Sequence, residues 1–378
     1  MREMETRNIC RILGLDIAKK TFKCCALTKE KNFQDRRITS GEMTAEGRAM
    51  FIGSLRRGDL VAMEGGTSSF NFAREIIDDG NAEVIVLNPA KLHIIFKSQC
   101  KTDKQDAAKI AMYVRDTNRE NWVTIDIPSR HESELRSIIN AYNAAKKERV
   151  RGINRLHAIF NQAGHPKLKA SDLATNTARM DSITRLLNGV PLELSLIEEN
   201  NITSLESNIE RYEELMRSAL MHHARETLIW MSIPGINFKT ASALIAYCGD
   251  GRRFYNPSQI RNYIGLVPRI DQSGERCIVG SITLGGCKPI RKNIIQGAWS
   301  IRNLSYDCPL KDHLTRLVSK GKKLQKVQVA VANKMISIGW TLLKNGQLYS
   351  PTPKEVLKRK LREAGLQAID TSFFPELN

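Results

Sequence analysis

The first 125 residues alternate between short apolar runs and segments with helical spacing. Apolar runs bounded by charged or turn residues predict strands, and apolar positions that recur every three to four residues predict helices. The predicted order is three strands, a helix, a strand, a helix, a strand and a final helix. These elements are residues 11–18, 22–27 and 33–40, then 44–55, 59–64, 69–79 and 83–88, and a helix that opens with the stretch 101–106. The order predicts an α/β unit in which two parallel strands extend three antiparallel ones.

Four acidic residues occupy defined places in these elements. Asp16 lies near the end of the first strand, Glu64 ends the fourth, and Asp103 and Asp106 open the last helix on one face. If the first and fourth strands pair at the centre of the sheet, Asp16 and Glu64 become neighbours and the helix acids lie over them. That is the ribonuclease-H-like arrangement of a two-metal phosphodiester site, since Mg²⁺ prefers such oxygen ligands. Each acid alone also fits a plain helix start or strand-end turn.

Two long segments in the middle of the chain carry apolar seams. Residues 131–163 repeat apolar positions about every 3.5 residues with basic residues beside the seam, and residues 192–222 show the same spacing with an acidic outer face. The complementary flanks predict an antiparallel coiled coil, within a chain or between chains. Two ordinary helices packed on a globular domain are the alternative.

The segment from residue 224 contains two motifs with chemical meaning. The turn Ile233-Pro234-Gly235-Ile236, followed by an apolar helix, resembles a helix-hairpin-helix whose exposed backbone amides hold a DNA phosphate. Further on, Ser273 precedes Gly274 outside any regular run, with Arg269 four residues before it. Ser273 is therefore either an exposed nucleophile or a plain turn serine.

The charge is uneven along the chain. The net charge is +18, and residues 224–378 hold 24 basic and 10 acidic residues, which gives +14 of that total. A surplus concentrated in one region predicts a polyanion-binding surface, with nucleic acid as the partner. A soluble basic domain without such a partner is the alternative. The residues expected to contact nucleic acid are Arg269, Lys288, Arg291, Lys292, Lys320, Lys322 and Lys323, and 358–362 forms a further basic patch.

Cysteine and histidine usage argues against other classes of protein. The eight cysteines form no Cys-x-x-Cys pair and the seven histidines form no His-Glu-x-x-His pattern, which makes a zinc site unexpected and predicts reduced thiols. The N-terminus is charged, and no stretch of about 18 uncharged apolar residues occurs. The expectation is a cytoplasmic protein without a membrane partner.

In combination these segments resemble the DEDD-type insertion-sequence transposases related to the Piv DNA invertase, a family with members that a bridge RNA guides. The matching segments, in the family's order, are Gly14–Lys19, Glu64–Thr67, Asn88-Pro89, Lys101–Ala107, Ile233–Ile236, Gly265–Arg269 and Ser273-Gly274. The resemblance implies a RuvC-like domain over 8–125, a helical coiled-coil connector over 126–223, a mainly helical transposase domain over 224–350 and a basic tail over 351–378.

The resemblance also implies site roles and partners. It implies that Asp16, Glu64, Asp103 and Asp106 hold Mg²⁺, and that Ser273 attacks DNA to form a covalent phosphoserine link. The implied partners are donor and target DNA, a guide non-coding RNA and further copies of the chain in a dimer or tetramer.

One segment departs from the family pattern. Where the family has Lys-x-Gly before Leu-Arg, this chain places its basic group at Lys288 and has Ile290 before Arg291. Ser281 also lies in this segment, but its position between Gly280 and Ile282 suggests the start of a strand, so Ser273 is the expected nucleophile. Two other functions remain open: a metal-dependent, structure-selective endonuclease of the Holliday-junction-resolvase type without a covalent intermediate, and a non-catalytic nucleic-acid-binding protein.

Overall fold

A computed structural model describes residues 9–28, 37–95, 103–166, 168–273, 276–282 and 285–377. For residues 93–95, 103–104, 270–273 and 276–279 the description covers the backbone alone. The chain divides into two compact units, residues 1–129 and 130–378. In the part described, no helix is both long and apolar enough to cross a membrane.

The first unit contains a mixed sheet of six strands in the order β3-β2-β1-β4-β5-β6. β1 runs antiparallel to β2 and parallel to β4, and β4 runs parallel to β5, so the predicted pairing of the first and fourth strands is confirmed. The strands are β1 Arg11–Ile17, β2 Thr21–Thr28, β3 Arg37–Glu42, β4 Asp59–Glu64, β5 Ala82–Leu87 and β6 Thr124–Ile125. The helices are α1 Ala45–Gly53, α2 Ser69–Asp79, α3 Pro89–Ile95 and α4 Asp103–Asp116. α3 and the short β6 are absent from the sequence prediction.

The sheet carries a separate apolar core on each face, because successive strand side chains point to opposite sides. Ile12, Leu60 and Ala62 belong to the core that α4 covers. Leu13 and Met63 belong to the opposite core, which α1 and α2 cover. The same alternation shows which face of the sheet each of the candidate strand residues occupies.

The second unit begins with two helices of 33 residues, α5 Arg130–Gln162 and α7 Gly189–Met221, as the seams predict. They lie antiparallel along each other within the chain, since Arg149 pairs with Glu206 and Arg155 with Glu198. Arg179 holds the intervening helix α6 (Asn176–Leu186) against α7. Its buried guanidinium lies 2.5 Å from Glu199 and 2.7 Å from Glu206.

The remaining helices enclose one large apolar core around the buried Trp230. They are α8 Ala224–Ser232, α9 Phe238–Cys248, α10 Pro257–Ile264, α11 Lys288–Ser300, α12 Pro309–Ser319, α13 Leu324–Asn345 and α14 Lys354–Glu363. A two-stranded hairpin, β7 Pro268–Ser273 and β8 Arg276–Ile282, lies between α10 and α11. The final segment folds into the same core through Leu357, Leu361, Phe374 and Leu377, and is not only a charged surface patch.

Candidate functional site

Asp16 and Glu64 lie beside each other at the ends of two paired strands. Leu15 of β1 pairs with Met63 of β4 in parallel register, and one further step along both strands reaches Asp16 and Glu64. Asp16 is half-buried and Glu64 is exposed. The structure therefore brings two of the four predicted acids together at one edge of the sheet.

α4 covers the face to which both acids point. A methyl group on Gly14 would lie 2.3 Å from the carbonyl oxygen of Ala107 and 2.6 Å from the amide nitrogen of Ala111, so the α4 backbone rests directly on β1. Asp16 follows Gly14 by two residues and shares its face of the sheet, just as Glu64 shares the face of Ala62. Only glycine allows this close approach.

The two helix acids differ in how far the structure describes them. Asp103 is the first residue of α4, and its side chain lies outside the described residues. Asp106 directly precedes Ala107, is partly exposed and forms an ion pair of 3.1 Å with Lys109. Among the described side chains, which include Asp16, Glu64 and Asp106, no three acidic, histidine or cysteine groups lie together as a metal site.

Lys23 is a neighbour of this site that the sequence interpretation missed. It pairs with Asp16 across β1 and β2, on the same face of the sheet, and its amine donates to the Ser40 hydroxyl over 3.0 Å. A lysine inside the otherwise apolar run of β2 was a signal for it. Lys23 therefore places a cationic side chain on the strand next to Asp16, on the face that both acids share.

Ser273 is the last residue of β7, and its backbone pairs with Arg276 of β8. The prediction that it lies outside regular structure is wrong, because Ser273 belongs to a strand that pairs with β8. Residues 274 and 275 are outside the described residues. Ser281 lies near the end of β8 and not at a strand start, which corrects the second expectation. The alternation of polar and apolar residues around Ser273 is too weak to predict either strand.

The predicted nucleic-acid-binding residues fall into two groups. Arg269, Lys288 and Lys292 are exposed on β7 and α11, and Lys320, Lys322 and Lys323 are exposed at the turn between α12 and α13. Arg291 differs, because its guanidinium donates to the Gly285 carbonyl and fixes the segment before α11.

The turn between α12 and α13 is strongly cationic. Burial lowers the pKa of His313, and the nearby charges of Arg316, Lys334 and Lys322 lower it further. Burial is the larger cause of this shift in pKa, and the three cations add to it; together with the exposed Lys320 and Lys323 they favour a polyanion at this turn.

The Pro-Gly turn joins α8 to α9 but is largely enclosed. Ile233, Pro234 and Ile236 are buried, and a methyl group on Gly235 would lie 2.3 Å from the carbonyl oxygen of Gly297 in α11. The start of α9 is capped by Asn237, whose side chain accepts a hydrogen bond from the Thr240 amide. This turn packs against α11, and phosphate binding by its amides stays a prediction.

Lys360 has a role that the sequence interpretation missed. Its amine donates to the carbonyl oxygens of Met231 and Ile233 at the end of α8, and burial lowers the pKa of Lys360 to about 7. The helical spacing offered a signal, since Lys360 lies three residues after buried Leu357 and four before buried Ala364. The basic run 358–362 is thus not entirely a solvated patch.

A mixed sheet with paired acids, followed by a basic helical unit, defines a class of protein that acts on nucleic acid. Comparison with known proteins makes the class specific. Residues 13–165 match the model of the IS110-type DEDD transposases, described as "Transposase", and residues 227–309 match the "Transposase IS116/IS110/IS902 family". The two matches together cover more than half of the chain. The chain belongs to the IS110/IS116/IS902 family of insertion-sequence transposases and recombinases.

Relatives along nearly the whole chain agree with this family. The chain is 25% identical over 354 residues to the transposase for insertion sequence element IS1111A of Coxiella burnetii, covering 90% of this chain and 91% of that protein. It is 25% identical to a probable family 20 transposase of Pseudomonas aeruginosa, covering 91% and 99%. It is 24% identical to the pilin gene-inverting protein of Moraxella lacunata, covering 89% and 96%.

Proposed function

We propose that this transposase cuts and rejoins DNA through a covalent link between Ser273 and a DNA 5′-phosphate. In this proposal Asp16, Glu64, Asp103 and Asp106 hold Mg²⁺, and a non-coding RNA guides the choice of DNA. The observation that carries the proposal is the pair Asp16 and Glu64, side by side at the ends of parallel strands under α4.

The sheet supports a ribonuclease-H-like, RuvC-type assignment for the first unit. Three antiparallel strands followed by two strands parallel to β1 give the order expected of that fold, with the acids at its central strand pair. The donor set is chemically suited to Mg²⁺, since carboxylate oxygens are hard ligands. Asp16 and Glu64 supply two ligands and α4 supplies the rest, so the set depends on Asp103 as well as Asp106. When bound, Mg²⁺ polarises the phosphate and stabilises the developing oxygen charges.

The serine step conserves the energy of the phosphodiester bond. The Ser273 hydroxyl oxygen bonds to phosphorus and gives up its proton, while the bond from phosphorus to the 3′ oxygen breaks and that oxygen takes a proton. A 3′-hydroxyl of another strand then attacks the phosphoserine, which releases Ser273 and forms a new phosphodiester. One ester replaces another in both steps, so rejoining needs no nucleotide cofactor.

The binding partners follow from charge and from the relatives. Residues 224–378 carry the net charge of +14, and Arg269, Lys288 and Lys292 are exposed close in sequence to Ser273. These cations suit donor and target DNA as well as a guide RNA. The proposal includes a homo-oligomer, a dimer or tetramer, because exchanging strands between two DNA segments needs several active sites.

A trapping experiment tests the serine link. In DNA that carries a nick beside the cleavage site, cleavage releases a short strand that diffuses away, so the DNA cannot be rejoined. The wild-type chain should therefore accumulate a protease-sensitive adduct on a 5′-phosphate. Ser273→Ala removes one oxygen and should abolish the adduct while DNA binding persists. Ser281→Ala is the matched control, because Ser281 is the exposed serine of the partner strand and should keep the adduct.

Three outcomes would contradict this assignment or move it. An adduct that survives Ser273→Ala and vanishes in Ser281→Ala would transfer the role to β8. Cleavage by the wild type without any adduct would favour the metal-dependent endonuclease. Binding without cleavage under every metal condition would favour a non-catalytic protein.

A further inference from the structure

The loop between α9 and α10, residues 249–256, is held firmly by its aromatic and basic neighbours. Phe254 is buried, and its carbonyl accepts a hydrogen bond from the Trp340 indole over 3.1 Å. The Arg253 guanidinium lies over the rings of Phe254 and Tyr263, 4.6 and 4.4 Å from their centroids, and donates to the Tyr247 carbonyl. The backbone on this side of the loop is therefore fixed.

Tyr255, the next residue, points its ring into solvent. The residue is 81% exposed, while its amide donates to the Gln259 side chain over 2.9 Å. Asn256 then caps α10 by accepting a hydrogen bond from the Gln259 amide over 3.0 Å. A large ring held outward on a fixed backbone loses little entropy when it binds a partner.

Two exposed cations lie in this loop or against it. Arg252 belongs to the loop and forms an ion pair of 3.2 Å with Asp250, which is also in the loop. The amine of the exposed Lys344 lies 5.3 Å from the centre of the Trp340 ring, the same indole that binds the Phe254 carbonyl. An outward aromatic ring on a loop that has one exposed cation of its own and another on a helix packed against it suits single-stranded nucleic acid, because the ring can stack on a base and the cations can bind phosphates.

We propose that Tyr255, Arg252 and Lys344 form a stacking site for an unpaired base of single-stranded nucleic acid. The proposal extends the nucleic-acid binding expected of the family and depends on neither Ser273 nor the four acids. Bases in an intact duplex are stacked on each other, so the site discriminates strands that are opened or unpaired. DNA and RNA share this chemistry, and the experiment separates them.

The test measures binding of the full chain to labelled oligonucleotides by fluorescence anisotropy, without divalent metal so that no cleavage occurs. The probes are a single-stranded DNA, a single-stranded RNA of the same sequence and the DNA duplex. Tyr255→Ala should weaken binding of the preferred single strand about tenfold, since loss of one stacked base typically has this effect. Tyr255→Phe keeps the ring and should bind like wild type, and duplex binding should change less than about twofold by the same reasoning.

The cations give an independent readout. Arg252→Gln and Lys344→Gln should each lower the slope of log Kd against log salt concentration by roughly 0.7 for the single strand. Phe373→Ala is the matched control for loss of an exposed aromatic ring, because Phe373 is 51% exposed and lies near Asp370 and Glu376 in sequence. Its affinities should equal those of the wild type.

Specific results would overturn the stacking site. Unchanged single-strand affinity in Tyr255→Ala, or an equal loss for the duplex, would remove base stacking as the role of this ring. A changed oligomeric state by light scattering, with single-strand affinity intact, would assign Tyr255 to a contact between protein chains. The trapping experiment on Ser273 reports a covalent adduct, so its failure leaves this binding result interpretable.

Discussion

The two units position their candidate residues by different means. In the first unit, main-chain pairing of β1 with β4 sets Asp16 beside Glu64, and the contact at Gly14 brings α4 onto the same strand. In the second unit, a similar glycine contact joins the Pro-Gly turn to α11, but Ser273 belongs to a hairpin whose sheet, in the described part of the chain, consists of β7 and β8. The positions of Asp16 and Glu64 are therefore set by the pairing of central strands in a six-stranded sheet. The position of Ser273 is set only by how β7 pairs with the next strand along the chain.

The units also differ in charge. Residues 1–125 carry 21 basic and 17 acidic residues, while residues 224–378 carry 24 and 10. The candidate acids thus lie in a nearly balanced unit, and the surplus of cations lies in the unit with the serine. Under the proposed function, the first unit supplies the metal ligands, and the charge surplus predicts that the second unit supplies most of the affinity for the nucleic acid backbone.

The largest effect is expected from the acids of the first unit. Glu64→Gln and Asp106→Asn should each reduce the rate of DNA cleavage in Mg²⁺ about a thousandfold or more, because a lost ligand removes several kcal/mol of transition-state stabilisation. Both side chains are at least partly exposed, so folding should persist by circular dichroism. Asp116→Asn changes an exposed acid at the other end of α4 and should cleave normally. Full cleavage by Glu64→Gln would remove the acids from the mechanism.

A second prediction separates the two glycine contacts. Gly14→Ala places a methyl group 2.3 Å from the Ala107 carbonyl, so α4 must shift from β1 and the free energy of unfolding should fall by about 1–3 kcal/mol or more. Cleavage should fall as well, because α4 carries two of the acids. Gly297→Ala should destabilise similarly through the Gly235 carbonyl at 2.2 Å, but α4 should stay on β1, so any loss of cleavage should follow the loss of nucleic-acid binding.

Gly53→Ala is the control for both glycine variants. Gly53 ends α1 with open space around it, so alanine should leave stability unchanged or raise it by about 0.5–1 kcal/mol. Urea unfolding of the three variants supplies the comparison. Wild-type stability in Gly14→Ala would mean that α4 does not rest on β1 as described.

The parts predicted well from the sequence depend on periodicity and strand order. The pairing of β1 with β4 and the two long helices follow from apolar spacing, which reflects burial directly. The strand at Ser273, the enclosed Pro-Gly turn and the inward Lys360 depend on neighbours distant in sequence. The spacing of apolar residues along the chain cannot show that Gly297 faces Gly235. Nor can it show that carbonyl groups at the end of α8 accept hydrogen bonds from the Lys360 amine. The prediction that Ser273 lies outside a strand was wrong for the same reason.

The smallest expected effect concerns Lys360. It tests whether every cation of the second unit is available to bind nucleic acid at the surface. Part of its side chain reaches the surface, but its amine is enclosed by the Met231 and Ile233 carbonyls, and burial lowers its pKa from 10.5 to about 7. Between these two values the unfolded chain holds more protons at this position than the folded chain. The free energy of unfolding contributed by Lys360 therefore rises with pH from about 7 to 10.5, because the charged amine is the form that burial disfavours.

Replacing this lysine removes the titration. The difference in unfolding free energy, wild type minus Lys360→Met, should increase between pH 7 and 10 with a slope of at most about 1.4 kcal/mol per pH unit. Lys358→Met changes an exposed lysine in the same helix, and its difference from wild type should stay flat over that range. Urea unfolding at four pH values for the three proteins measures both differences. If the unfolding free energies of wild type and Lys360→Met change with pH in parallel, the Lys360 amine is solvated, as the basic run 358–362 predicts. The whole charge surplus would then be available to nucleic acid.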